Sequence, residues 1–187
     1  MGKGHIMSVR MEKGALAALL VLAMGAATPA LAAEPQPHAV PDACAGTQLP
    51  DDLSGWATPE AVAAARDGAG LGSVILAPGR AVLARLHPVN EMKYAQPPAQ
   101  PGDQGSMGGM VVLQAPVAGT YRIMLGAKAW LEVVRGGEVT PSVHHQHGPA
   151  CSGIGKMVDF QLPAGRSVIE LSAGGQPEIE IMVVAVP

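Results

Sequence analysis

Three histidines fall in the tetrad His144-His145-Gln146-His147, and Cys151 follows shortly after. On an extended strand, alternate side chains share a face, so His145 and His147 point one way and His144 the other. Two imidazoles so placed can chelate zinc, copper or iron, and His87, Met92 or an acidic residue could complete the set. The same residues also suit a solvated polar turn closing a strand. No H-x-x-x-H or H-E-x-x-H pattern follows to favour a metal.

Other stretches offer less. Ser106-Met107-Gly108-Gly109-Met110 carries two soft thioethers that could take copper(I), but a single pair opening a strand reads as core, with Met110 inward. Gly153-Ile154-Gly155-Lys156 lacks phosphate-loop spacing and reads as a Gly-rich turn, with Lys156 available as an anchor for an anionic ligand. Ser54 and Ser152 lack the context of a nucleophile elbow. Asp159 is expected to pair with Lys156 or Arg166. Trp130 is expected in the core; Trp56 and Tyr94 are the candidates for exposed aromatics, while Trp56, just before Thr58, is also placed to pack the helix expected there on the domain.

The residues around these groups set the compartment. Arg10-Met11-Glu12-Lys13, the apolar run Gly14–Ala27 and Ala30-Leu31-Ala32 have the layout of a secretory signal peptide, with cleavage expected after Ala32. The apolar run is shorter than the ~20 residues of a spanning helix, and Thr28-Pro29 interrupts it. The chain left from Ala33 onward is mildly acidic, without a second spanning stretch, and is expected to be periplasmic or secreted. In an oxidising compartment the two cysteines, Cys44 and Cys151, read as a disulfide, with a metal-ligand or reactive-thiol role for Cys151 as the alternative.

Composition narrows the fold. Only 14% of the 187 residues are charged, against ~25% for an ordinary domain, and 48% are hydrophobic, which excludes a disordered polyelectrolyte. A net charge of −3 without a Lys/Arg cluster excludes a basic nucleic-acid binder. Twenty-four Gly and 17 Pro argue against long helices.

The elements that must position the histidines follow from periodicity. Residues 33–72 read as a Pro- and Ala-rich arm held by Cys44, with one short helix. Thr58 caps that helix, Pro59 opens it, Glu60–Arg66 forms it and Asp67-Gly68 stops it. From Ser73 the pattern is of short strands between Gly or Pro turns. They are expected at 73–76, 81–86, 110–114, 120–125, 130–134, 139–144, 157–162, 167–171 and 179–186, with a loop over 89–109. Eight or nine such strands predict an all-β domain over 73–187, an antiparallel β-sandwich or jelly roll.

Within it, Ala118-Gly119-Thr120-Tyr121, Ala129–Val134 and Val158–Gly165 resemble exported β-sandwich modules of the pre-peptidase C-terminal type. More narrowly, His147–Phe160 is similar to a small family of bacterial exported proteins that carries the name homogentisate 1,2-dioxygenase. That name implies a non-haem iron held by two His and one Glu. Beside the His cluster, Glu91 or Asp159 would have to be the carboxylate, and no catalytic residues carry over.

The leading expectation is thus an exported β-sandwich that binds a small ligand or a transition metal (copper, zinc or iron) through His144, His145 and His147, with His87. The alternatives are a non-haem iron dioxygenase, and a structural module docking an exported protein or a glycan. Oligomeric state is not legible in the sequence.

Overall fold

A computed structural model describes Cys44 and residues 48–187. The expected signal peptide, and the arm through residue 47 apart from Cys44, lie outside the described residues. Among the described residues, twelve strands run from β1 (Glu60–Ala63), β2 (Ile75–Leu76), β3 (Ala81–Arg85) and β4 (His87–Pro88) to β5 (Met107–Ala115), β6 (Gly119–Leu125) and β7 (Trp130–Arg135). They continue through β8 (Glu138–Thr140), β9 (Ser142–Gln146), β10 (Lys156–Leu162), β11 (Gly165–Gly174) and β12 (Glu178–Val186). The count exceeds the expected eight or nine because β1 forms where a helix is expected, β4 lies between the expected strand 81–86 and the expected loop 89–109, and one expected strand divides at Pro141 into β8 and β9.

One sheet has the order β1-β3-β12-β6-β10-β9; the other has β2-β5-β11-β7-β8, with β4 also on β5. Most pairs are antiparallel, as expected, but β1–β3 and β2–β5 are parallel, so both sheets are mixed. Alternate residues of both sheets enter one apolar cluster, including Ile123, Phe160 and Ile181 from the first and Leu113, Leu131 and Ile169 from the second. Each such side chain, fully buried, contributes roughly 1.5–3 kcal/mol relative to exposure.

The expected helix over Glu60–Arg66 is not formed. Glu60–Ala63 instead pairs in register with Val82–Arg85. The chain then crosses between the sheets: Ala64 N–H donates to Arg85 O at 3.0 Å, and Ala65 exchanges hydrogen bonds with Met110 at 2.8 and 2.9 Å. Alanine favours helix by a few tenths of a kcal/mol per residue, which tertiary pairing overrides. Small side chains are what this crossing needs. A Cβ on Gly109 would stand 2.6 Å from the Ala64 Cβ and 2.9 Å from Leu86 Cδ2.

The outer faces are covered in two chemically different ways. On the first sheet, the 3₁₀ turn Asp51–Ala57 buries Leu53 and Trp56 against Met124, Met157, Met182 and Val184. Trp56 is therefore core, as its place beside the expected helix suggested, and is not an exposed aromatic. On the second, residues 94–100 are held by polar anchors. Glu170 accepts from Ala95 N–H at 2.6 Å, Glu132 from Ala99 N–H at 3.3 Å, and Tyr94 donates to Leu171 O at 3.0 Å. Burial, then the Glu170 charge, push the Tyr94 phenol up to about 12. Burial also raises the Glu170 carboxyl, against the two backbone N–H groups that lower it.

Candidate groove at the open edge

At the edge opposite β1 the chain makes a second crossing between the sheets, β8-Pro141-β9. Here the sheets are not sealed. A groove of about 980 Å³ lies between β7–β8 and β9–β10, at the upper end of the usual range for ligand pockets. Leu131, Val158 and Phe160, all nearly inaccessible, belong to its apolar lining together with Ala127, Val139 and Pro141.

A bulge shapes the β9 wall. Ser142 opposes Phe160 and His145 opposes Val158, and the register shifts between them, so Val143 is the additional residue. Ser142 and His145 thereby share the face of Phe160 and Val158 and line the groove. His144 opposes Asp159 on the other face, where its Nε2 lies 3.4 Å from Gln146 Oε1.

His147 lies just beyond the strand and lines the groove as well. Its Nδ1–H donates to Gly155 O at 3.2 Å, which leaves Nε2 unengaged by that bond. The loop from His147 to Gly155 folds back on itself, since Ser152 Oγ donates to Pro149 O at 2.7 Å and accepts from Ile154 N–H at 3.0 Å. Gly148 makes this closure possible: a Cβ there would run into the Ile154 carbonyl and side chain. Cys151 in this loop is bonded to Cys44, as expected, with Cα atoms 5.3 Å apart and the two cysteines separated by 107 positions in sequence.

Lys156 and Trp130 form the polar end. The half-buried Lys156 donates from Nζ to Ala129 O at 3.0 Å, and its ammonium lies 5.8 Å from the centre of the Trp130 ring. Burial lowers the Lys156 pKa. Trp130 was expected in the core. It is instead partly exposed in the groove, while Trp56 takes the buried place. Its position in the first residue of β7, directly after the turn Gly126–Ala129, was the signal that alternation alone did not weigh.

The structure brings His145 and His147 to one wall and leaves the other expected ligands elsewhere. His87 stands at the opposite edge, where its Nε2–H donates to Ala64 O at 2.8 Å. Asp159 does not pair with Lys156 or Arg166. It is 5% exposed and grips Arg122 through two hydrogen bonds of 2.8 Å on the outer face. Glu91 faces Arg66 at 3.8 Å. Met110 is fully buried, as expected. Among the described residues, no group of three or more His, Cys, Asp or Glu side chains is placed to hold a metal ion. Among them, no helix is long and apolar enough to cross a membrane.

Comparison with known proteins adds no relative: no family model, curated protein or solved structure matches the chain.

Proposed function

We propose that the chain is an exported β-sandwich binding protein whose site is the groove at the open edge. The observation that carries this reading is an apolar cleft of about 980 Å³ between the two sheets, with polar groups gathered at its rim. A protein that merely packed its two sheets would close such a gap, because an empty apolar cleft forfeits dispersion contacts on both walls. The Cys44–Cys151 disulfide and the sequence layout of residues 10–32 support export.

The experiment is saturable binding of the neutral apolar dye N-phenyl-1-naphthylamine, read by its fluorescence. We expect one site per chain in the wild type and at least ten-fold weaker binding in Ser142→Trp, which fills the groove from an exposed position. Absence of saturable binding, or unchanged binding in the filled variant, overturns the reading.

A transition metal held by His145 and His147 is the second reading, favoured by their place on one wall. It requires copper, zinc or iron to co-purify in stoichiometric amount and to be lost in His145→Ala/His147→Ala.

A further inference from the structure

Resting on that reading of the groove, we propose that its ligand is a small organic acid, an apolar body carrying one carboxylate, with the carboxylate seated against Lys156 and the body along Trp130 and Phe160.

The charges around the groove are one-sided. Lys128, Lys156, His145 and His147 all line it, and the one acidic residue among the lining is Glu132. The Glu132 carboxylate is already engaged, accepting from Ala99 N–H at 3.3 and 3.4 Å beneath the 94–100 segment, and Glu132 is only 8% exposed. It also opposes the buried Glu170 across the β7–β11 pair, which turns it to that outer cover rather than to a ligand.

Lys156 is the member of this set that water serves least. An ammonium offers three donors, and a single bond, to Ala129 O, is formed. Among the described residues no carboxylate lies within ion-pair distance of it. A half-buried cation in this state gains from an incoming anion twice, by hydrogen bonding and by charge neutralisation at reduced dielectric.

A bare inorganic anion would use only this corner and leave the apolar lining empty. A neutral apolar molecule would fill the lining and strand the ammonium. The combination that satisfies both is an amphipathic acid, and Trp130 beside the ammonium suits a flat ring next to the acid group.

The test is displacement of bound N-phenyl-1-naphthylamine by matched pairs, phenylacetate against phenylacetamide and octanoate against octanamide. Each acid is expected to displace the dye at a concentration at least ten-fold below its amide. Lys156→Met is expected to bring each acid level with its amide, both read against that variant's own dye affinity. Stronger competition by phenylacetate than by octanoate identifies an aromatic body; the reverse identifies an aliphatic one. Either order supports the proposal.

Equal competition by acid and amide in the wild type overturns the proposal while leaving the groove reading intact, because the dye still binds. A preference for acid that survives in Lys156→Met overturns the role of Lys156 and the proposal with it. If the dye itself does not bind, the groove reading has failed first.

Discussion

The two edges of this molecule make the same move with opposite results. At one, β1 leaves the first sheet through Ala64 and Ala65 and locks onto Met110 of the second. At the other, β8 passes into β9 across Pro141. The first crossing is made by small apolar residues, against a glycine whose missing Cβ lets the sheets meet. The second is made by Thr140, Pro141 and Ser142, with His145 and His147 beyond, and a groove remains. Topology alone therefore does not decide where such a fold opens; side-chain size and polarity at the crossing do.

The largest effect is expected behind the open edge. Arg122 on β6 neutralises Asp159 on β10, the strand that carries β9. The Asp159 side chain is only 7% exposed. Arg122→Met leaves that carboxylate buried without its partner, and a loss of about 3–5 kcal/mol in urea unfolding is expected. A loss below 1 kcal/mol would show that the pair is not what fixes this wall.

At the closed edge, Gly109→Val forces branched carbons against Ala64 and Leu86. A loss of about 2–3 kcal/mol is expected, in the range of core overpacking. The matching insertion at the open edge, Ser142→Trp, is expected to stay within about 0.5 kcal/mol, as exposed substitutions do. Equal costs at the two edges would erase the distinction between them.

A smaller effect is pH-dependent. Glu180 on β12 lies beside Gly126, at the turn that leads into the groove, and one of its carboxylate oxygens is buried without a partner. Burial raises its carboxyl from 4.5 to about 7. Between those values the folded protein keeps a proton that the unfolded chain has released, so stability falls as pH rises through this window. Below the window this cost vanishes, and above it the cost is complete. Glu180→Gln is therefore expected to raise stability by about 1–2 kcal/mol at pH 8, after allowance for solvent screening, and by almost nothing at pH 4. A variant with the same stability difference at both pH values would contradict the cause given.

Much of the fold was legible. Alternation in Tyr121–Leu125 and Glu178–Ile181, with Gly and Pro between runs, located the long strands to within a few residues, because burial on one face imposes a period of two. The disulfide was legible from two cysteines and an export-like leader. What escaped depended on partners far away in sequence. The Ala61–Ala65 run is helical by propensity, yet Glu60–Ala63 becomes β1 because β3 offers it a parallel edge, and Ala64 and Ala65 make the crossing that follows. The exchange of roles between Trp56 and Trp130 follows from which outer face the 3₁₀ turn covers. Asp159 found Arg122 through cross-strand register, which no local pattern encodes.

Of the candidate site, the histidine tetrad marked the correct region. It did not show that Val143 bulges, and so it did not show that Ser142 and His145 share the groove face. Lys156 was visible as an anchor for an anion, but its neighbour Trp130 was not.

The most direct test of an open and a sealed edge is to map amide chemical shifts as the neutral dye is titrated to saturation. Shifts are expected along 126–132, 140–147 and 155–160, with Glu60–Ala65 and Gly108–Met110 unmoved. Shifts centred on Ala64, Ala65 and Gly109, or scattered evenly over both sheets, would contradict the assignment of the groove as the binding site.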